Sequence, residues 1–294
     1  MNKKKISNKI ILFLILLILL IFIGVLASII KPNQPATTST DDTLKIYYFD
    51  VGQADCSLII SNCEAMLIDG GNEADSYNII NYLKGLGIKN LNYVIATHAD
   101  DDHIGGLDKI IQAFPTKVVY MPYTNKNSKE LTEMKNVAQD IISTPNQNDV
   151  FYVGGAKCTI VHIGDARIVS ENNSSIVIEV DYGETSCLFM GDSEKEVEKD
   201  KEINWNDIDI LKVAHHGSNS SSTLEFLETT KPEYAIISAD SSKSYEHPHT
   251  EVLNNLTTIQ ATIYRTDQEG TIILNSDGRK YYFTFDKTSL DGNR

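Results

Sequence analysis

Hydrophobic and polar positions follow three different patterns along the 294 residues of the chain. Residues 10–30 form an almost unbroken run of Ile, Leu, Phe and Val without a charged side chain. Residues 31–43 contain no large hydrophobic side chain. From residue 44 onward, short β-rich apolar runs alternate with segments in which apolar residues recur at the helical period. The pattern predicts a membrane-length segment, a linker and one α/β domain.

The amino-terminal segment is predicted to anchor the protein in a membrane. About 20 apolar residues span a bilayer, whereas a cleavable signal core usually has about 7–15. Four lysines in residues 1–9 precede the apolar run, which predicts a cytoplasmic tip and a domain outside the cytoplasm. We therefore predict a basic tip (1–9), a single-pass anchor (10–30), a flexible linker (31–43) and a folded domain (44–290). The alternative is a signal sequence cleaved after Val25-Leu26-Ala27, with secretion of the domain.

The folded domain is predicted to consist of two halves that share one plan. Residues 44–143 begin with a strand and a hairpin and then alternate strands with helices, and residues 149–285 repeat this order. Each half would form a sheet with helices on its outer face. The organisation predicts an α/β fold, a four-layer α/β/β/α sandwich, with the loops of a site at the carboxyl ends of the strands.

Polar clusters follow four of the predicted strands, and six of the seven histidines lie in or beside them. The clusters are Thr97–Gly106 (THADDDHIGG), Gly191-Asp192, His215-His216 and His247. Imidazole and carboxylate groups bind divalent metals and activate water. Because the ligands exceed one tetrahedral shell, we predict a dinuclear centre that Asp192 bridges.

Charge and cysteine content narrow the possible functions. Beyond residue 31, 40 Asp and Glu outnumber 21 Lys and Arg, a net charge of −19 that disfavours a broad surface for duplex DNA. Bound cations could still create a locally positive cleft. The four cysteines form no C-x-x-C pair, which argues against a zinc ribbon. Cys56 and Cys63 flank a short turn and are the pair predicted if a disulfide forms; buried free thiols are the alternative.

The polar clusters and the segments between them resemble the metallo-β-lactamase superfamily. More narrowly, they resemble the hydrolase domain of the ComEC family of competence proteins and its stand-alone relatives. The matching segments occur in the family's order: DVGQAD (50–55), LIDGG (67–71), THADDDHIGG (97–106), NSS (173–175), GD (191–192), LKVAHHGS (211–218) and HP (247–248).

The resemblance implies the α/β/β/α fold and a hydrolase with two divalent metal ions, zinc or manganese. The metal ligands that it implies are His98, Asp100, Asp102, His103, Asp192, His215 and His247. Asp102 and His216 would be catalytic, with His216 facing the substrate, although His215 and His216 could exchange roles. Asp55, Asp69 and Asn173 would support the site.

Three positions depart from the family's pattern. Ala54 replaces a glycine, which tests whether that turn needs a positive φ. Asp100 stands where many members have histidine, and this harder oxygen ligand favours manganese or magnesium-like ions over zinc. Asn172-Asn173 stands where many members carry a histidine, so one metal position would have fewer protein ligands.

These observations predict a membrane-tethered hydrolase outside the cytoplasm, with a phosphodiester substrate. Single-stranded or short nucleic acid is the expected substrate, which makes the protein a phosphodiesterase or nuclease. The alternatives are a phosphodiesterase acting on cell-wall polymers of the teichoic acid type, a hydrolase of lactones or β-lactams, and a non-catalytic surface binding module. The only other partner predicted is the membrane, through the amino-terminal helix; no specific protein partner is predicted.

Overall fold

The computed structural model describes residues 43–240 and 246–293. Their strands are β1 (Leu44–Tyr48), β2 (Ser57–Ser61), β3 (Glu64–Ile68), β4 (Leu91–Ile95), β5 (Thr116–Tyr120), β6 (Ile142–Ser143), β7 (Val150–Val153), β8 (Ala156–His162), β9 (Val177–Tyr182), β10 (Thr185–Phe189), β11 (Ile210–Lys212), β12 (Tyr234–Ile237), β13 (Thr262–Arg265), β14 (Thr271–Ser276) and β15 (Tyr281–Asp286). Their α-helices are α1 (Ser76–Gly85), α2 (Asp101–Ile104), α3 (Leu107–Ala113), α4 (Lys129–Ala138), α5 (Lys195–Glu198), α6 (Leu224–Thr230), α7 (Thr250–Thr258) and α8 (Thr266–Glu269). Short 3₁₀ turns are Glu73–Asp75, Asn172–Ser174 and Ala214–Gly217.

Two sheets face each other across an apolar core. The first has the strand order β15-β14-β1-β2-β3-β4-β5-β6, and the second has the order β13-β12-β11-β10-β9-β8-β7. Tyr48 of the first sheet stacks on Phe189 of the second, with 5.7 Å between the ring centroids. Separate apolar clusters join α1, α3 and α4 to the outer face of the first sheet, and α6 and α7 to that of the second. The layers therefore follow the order helix, sheet, sheet, helix.

The alternation of side chains along β1 shows how the sequence specifies these layers. Leu44, Ile46 and Tyr48 are fully buried in the core between the sheets, whereas Tyr47 and Phe49 pack on the helix side. Successive side chains of a strand point to opposite faces. A strand that is covered on both faces therefore reads as a nearly continuous apolar run, and the exposed Lys45 is the one polar residue of β1.

The division into two sequential halves is wrong for the last two strands. β14 pairs antiparallel with β1, with Ile46 opposite Leu274, and β15 pairs with β14, so this hairpin belongs to the first sheet. Ile272 and Leu274 are buried in the core between the sheets. The pairing extends the first sheet by two strands, a long-range effect that the order of elements does not reveal.

The carboxyl ends of four strands lead into the predicted polar clusters. β3, β4 and β5 run parallel, as do β10, β11 and β12. Gly106, at the start of α3, lies directly against the loop after β3, because a Cβ added there would be 2.3 Å from the Gly70 carbonyl oxygen. Glycine at this position lets the loops after β3 and β4 approach each other.

Three sequence expectations concern the termini and the cysteines. The predicted tip, anchor and nearly all of the linker lie outside the described residues, and none of the described helices has the length and hydrophobicity to cross a membrane. The Cys56–Cys63 pairing is wrong, because all four cysteines are free thiols. Cys56 is fully buried, whereas Cys63 is exposed at the turn between β2 and β3, so their side chains lie in different environments.

Candidate metal centre and active site

His103 is held rigidly by the loop after β3. Its Nδ1 lies 2.8 Å from Asp69 Oδ2, so Nδ1 carries the proton of this hydrogen bond and Nε2 is left for another ligand. Asp69 also accepts hydrogen bonds from the backbone nitrogen of Thr97 at 2.9 Å and from its hydroxyl at 2.8 Å. The fully buried His103 ring is thus oriented by a residue that is itself fixed.

His98 lies beside His103 on the loop after β4. It is fully buried, and the centroids of the two imidazole rings are 4.2 Å apart. The Ser175 hydroxyl lies 3.4 Å from His98 Nδ1 on one side of the ring. On the other side, His98 Nε2 lies 4.0 Å from Asp192 Oδ2. The loops after β4 and β10 therefore direct these side chains towards the same point.

Asp192 is the shared partner of the surrounding imidazole rings. Its backbone nitrogen donates to the Ser175 hydroxyl at 3.1 Å, which fixes the loop after β10. Its Oδ1 lies 3.2 Å from His103 Nε2. Its Oδ2 lies within 4.0 Å of the Nε2 atoms of His98, His215 and His216. This central position is the one expected of a carboxylate shared by two metal ions.

His215 and His216 occupy different environments although they are adjacent. Both have a left-handed backbone, with φ of 49° and 53°. His216 is buried, its Nδ1 donates to the Ser238 carbonyl at 3.2 Å, and its Nε2 faces Asp102 Oδ2 at 3.3 Å. The His215 side chain is 25% exposed. The turn thus directs His216 into the cluster and leaves His215 at its edge.

The buried ligand atoms fit a metal centre. Within the described ranges, three groups of three side chains bring their ligand atoms within 4.8 Å of one another. All three contain His103, which is joined by His98 and Asp192, by Asp102 and His216, or by Asp55 and Asp69. The Nε2 atoms of His98, His103 and His216 and Asp192 Oδ1 are buried without a hydrogen bond. Leaving such atoms without a partner is costly, and nitrogen with carboxylate oxygen is a donor set that suits zinc or manganese.

The electrostatics of the cluster favour bound cations. Burial alone would lower the pKa of His103, but the Asp192 and Asp69 carboxylates raise it well above its ordinary value. Burial would likewise lower the pKa of His216, and Asp192 and Asp102 raise it instead. Burial opposes ionisation of Asp192, but the charges on His103 and His216 hold its pKa well below the usual range. Buried carboxylates that stabilise a proton in this way also stabilise a metal ion.

Three of the predicted metal ligands belong to none of these groups. They are Asp100, His215 and His247. Asp100 Oδ2 lies 3.5 Å from His98 Nε2, and its Oδ1 accepts a hydrogen bond from Lys126 Nζ at 2.8 Å. The interaction with the neighbouring His98 imidazole is the main cause that holds the pKa of Asp100 well below its usual range, and Lys126 adds to it. Asp100 is therefore shared between the cluster and a lysine.

His247 lies at the edge of the cluster together with His215. The centroids of their rings are 5.7 Å apart, and the centroids of the His247 and His249 rings are 4.8 Å apart. Burial, followed by the positive potential of His216, His249 and His215, lowers the pKa of His247 to about 4. Gln53 Nε2 lies 3.1 Å from Nδ1 of His247. A neutral His247 that accepts this hydrogen bond carries its proton on Nε2.

The predicted supporting residues act at different distances from the cluster. Asp55 Oδ2 pairs with Lys212 Nζ at 2.7 Å, and its backbone nitrogen donates to the Asp102 carbonyl at 3.1 Å. Asn173 Oδ1 accepts from the backbone nitrogen of Glu194 at 2.9 Å, so it supports the segment after Asp192. The position of Ala54 requires no positive φ, so alanine causes no backbone strain there.

Five residues that hold the site were absent from the predicted set. They are Gln53, Thr97, Lys126, Ser175 and Lys212. Four of them, all except Lys126, lie inside the motifs, where a polar side chain close to a predicted ligand was the available signal. Lys126 acts through a long side chain from a separate loop, and no local pattern marks it. The roles of the predicted site residues stay predictions.

Comparison with known proteins gives consistent similarities. The sequence model of the metallo-β-lactamase superfamily matches residues 49–241. ComE operon protein 3 of Bacillus subtilis is 34% identical over 199 residues, which are 66% of this chain and 26% of that protein. Recombination protein 2 of Haemophilus influenzae is 29% identical over 239 residues, which are 79% of this chain and 29% of that protein. The chain thus corresponds to less than a third of the length of these two relatives.

Solved structures share the fold at low sequence identity. The metallo-β-lactamase fold protein YhfI of Bacillus subtilis has a TM-score of 0.53 and 11% identity, and the match covers 80% of this chain and 100% of YhfI. CmlA, a diiron β-hydroxylase from Streptomyces venezuelae, has a TM-score of 0.51 and 14% identity, and the match covers 76% of this chain and 53% of CmlA. These likenesses concern the fold alone.

Proposed function

Because this chain belongs to the metallo-β-lactamase superfamily, we propose that it is a metal-dependent phosphodiesterase that hydrolyses single-stranded or short nucleic acid. The observation that carries the proposal is the convergence of buried, unpartnered imidazole nitrogens of His98, His103 and His216 around Asp192. The name of one relative, Recombination protein 2, supports a nucleic-acid substrate. The acidic domain favours short or single strands over long duplexes.

Two divalent cations, zinc or manganese, would be held by this cluster. Asp192 would be shared by both positions, with His98 and His103 serving one and Asp102 and His216 the other. Asp100 adds an oxygen ligand beside His98 and favours manganese. Bound cations would supply a lowered pKa for water and a polarised phosphoryl oxygen. In this assignment His216 is a metal ligand and His215 faces the substrate. These are the exchanged roles that the sequence analysis gave as the alternative.

The residues at the edge of the cluster would act on the substrate directly. His247 is neutral near pH 7 because its pKa is lowered to about 4. With Gln53 donating to Nδ1, its Nε2–H can donate a hydrogen bond to a phosphoryl or leaving-group oxygen. His215 lies beside it and is partly exposed. The other tautomer of His247, with Nδ1–H donating to the side-chain oxygen of Gln53, would instead leave Nε2 for a metal ion.

We also propose that the domain is tethered outside the cytoplasm. The support is the apolar run at residues 10–30 with four lysines before it. Alkaline extraction and protease treatment of intact cells expressing the full chain test this. We expect the domain to remain with the membrane after alkaline extraction and to be cleaved by protease added outside the cells. Release of a shorter soluble protein would favour the secreted form.

The activity is tested on the full chain with added manganese. We expect hydrolysis of bis-p-nitrophenyl phosphate, and we expect Asp102→Ala together with His103→Ala to abolish it. Asp101→Ala is the matched control, since Asp101 is a more exposed aspartate of the same helix, and it should retain activity. Activity that persists in the double variant would contradict the site assignment.

The substrate class needs a separate panel of single-stranded DNA, duplex DNA, RNA and choline-phosphate esters. Faster hydrolysis of single strands than of the other substrates is expected. Preferential hydrolysis of the choline-phosphate esters would instead identify a cell-wall phosphodiesterase. A protein that binds less than one equivalent of metal and hydrolyses none of them would be a binding module.

A further inference from the structure

Two loops beside the metal centre are joined to it by one carboxylate. Glu171 Oε1 accepts a hydrogen bond from the backbone nitrogen of Ala99 at 3.1 Å, within the loop that carries His98. Glu171 Oε2 accepts one from the Thr124 hydroxyl at 2.9 Å. The loop after β5 and the segment before Asn172 are therefore attached directly to the metal-binding loop. We call residues 123–126 and 165–171 the rim.

The rim carries a cation next to the cluster. Lys126 Nζ lies 2.8 Å from Asp100 Oδ1 and 3.3 Å from Asp101 Oδ1. Its side chain is 28% exposed, so part of it is open to solvent beside the cluster. The two carboxylates offset its charge, and Lys126 contacts a phosphate only by exchanging one of these partners for it.

The rim also exposes an aromatic ring that is held in place. Tyr123 is 54% exposed, and the Arg167 guanidinium lies 4.4 Å from the centroid of its ring. The Tyr123 carbonyl accepts a hydrogen bond from the backbone nitrogen of Ala166 at 2.9 Å, and Asp165 holds Arg167 through Nε at 2.8 Å. The neighbouring Ile168 is 84% exposed. The ring is thus exposed and also fixed by the segment 165–171, which Glu171 joins to the metal-binding loop.

We propose that the rim is a stacking platform for an unpaired base of single-stranded nucleic acid. Arg167 covers one face of the Tyr123 ring, and the exposure of the residue leaves the other face open for a base. Lys126 then contacts a phosphate of the same strand. The inference rests on the proposed function and adds the residues that select single strands, because bases inside a duplex cannot reach an isolated aromatic ring.

The chemistry of the rim distinguishes this occupant from a cell-wall polymer. A glycerol-phosphate or ribitol-phosphate chain offers phosphates to Lys126 but has no flat ring for Tyr123. A nucleotide strand uses both features. Each base stacked on an aromatic side chain adds affinity, independently of sequence.

The test compares full-length variants that differ only in the exposed ring. Tyr123→Ala removes the ring and Tyr123→Phe retains it. Tyr152→Ala is the matched control. Tyr152 is 58% exposed, and it belongs to β7, the strand at the edge of the second sheet, outside the rim. The dissociation constant of a fluorescent oligothymidine strand is measured by anisotropy with manganese, in the Asp102→Ala background to prevent hydrolysis. Hydrolysis of bis-p-nitrophenyl phosphate is measured without that substitution.

We expect Tyr123→Ala to weaken oligothymidine binding about tenfold, whereas Tyr123→Phe and Tyr152→Ala bind like the parent. Hydrolysis of the small substrate should not change, which separates the platform from the metal centre. Equal binding by Tyr123→Ala and the parent, or no strand binding by the parent, would overturn the platform while the hydrolysis assay still reports on the proposed function. If the unaltered protein does not hydrolyse bis-p-nitrophenyl phosphate, the proposed function is overturned. The anisotropy measurements would still show whether the Tyr123 ring binds a base.

Discussion

Lys212 Nζ lies 2.7 Å from Asp55 Oδ2, in a pair that joins the two sheets beneath the metal cluster. Both side chains are less than 10% exposed, and Lys212 also donates to the Val213 carbonyl at 3.3 Å. Burial raises the pKa of Asp55, but Lys212 and then His216 lower it further, so the carboxylate stays charged. The pair thus fixes the loop before β2 against the end of β11.

Replacing Lys212 by methionine should destabilise the protein by about 3–5 kcal/mol, because the Asp55 charge is left buried without a partner. Urea unfolding measures the change. Adding Asp55→Asn to that variant should recover part of the loss, since the buried charge is gone. Lys231→Met is the control: its pair with Asp207 is exposed on both sides, and little change is expected. Equal effects of Lys212→Met and Lys231→Met would contradict a role for burial.

His216→Ala should weaken manganese binding more than His215→Ala. His216 Nε2 is buried, unpartnered and 3.3 Å from Asp102, whereas His215 lies at the open edge and its Nδ1 is 3.1 Å from the Ser220 hydroxyl. Loss of one of a metal's protein ligands typically lowers affinity severalfold or more. Isothermal titration calorimetry on the metal-stripped full chain gives both constants. A larger effect of His215→Ala would restore the assignment given first from the sequence.

Gly106→Ala should destabilise the fold by about 1–3 kcal/mol, because its methyl group would lie 2.3 Å from the Gly70 carbonyl oxygen. The displaced loop carries Asp69, so manganese affinity should fall as well. Gly85→Ala in α1 is the matched substitution: its added methyl meets no atom within 4 Å, and alanine is the better helix former. Thermal unfolding with and without manganese should therefore rank Gly85→Ala at or above the parent and Gly106→Ala below it.

One thiol per chain should react with a disulfide reagent in the native protein at pH 8. Burial raises the pKa of the Cys158 thiol to about 12, and it raises the pKa of Cys56 and Cys187 as well. Cys63 is exposed. Since the thiolate is the reactive form, the three buried thiols should titrate only after denaturation. Two or more fast-reacting thiols in the folded protein, or a Cys63→Ser variant with unchanged reactivity, would contradict this picture.

The metal cluster was predictable where its geometry is local. His98, Asp102 and His103 follow β4 within a few residues, and Asp192 follows β10, so strand ends were enough to place them. The environments of His215 and His216 were not predictable from spacing, because they depend on the left-handed backbone of these two consecutive residues.

Long-range contacts were the least predictable part of the fold. The attachment of β14 to β1 joins residues that are more than 200 positions apart, and no local pattern in either strand specifies its partner. Lys126 belongs to a loop with no motif, and its contact with Asp100 depends on how two loops pack. Side-chain identity predicts the chemistry that a residue can do, but packing decides which partner it meets.

The pairing of β1 with β14 also constrains how the protein is made. Ribosomes deliver the chain from the amino terminus, so β1 emerges long before its partner and waits with one edge unpaired until residue 276 has been synthesised. Contacts between residues so far apart in sequence slow folding, and until they form, the unpaired strand edge can pair with other chains. Chaperone dependence during synthesis, and aggregation of nascent chains halted before β14, are therefore the expected cost of a sheet completed by its last strands.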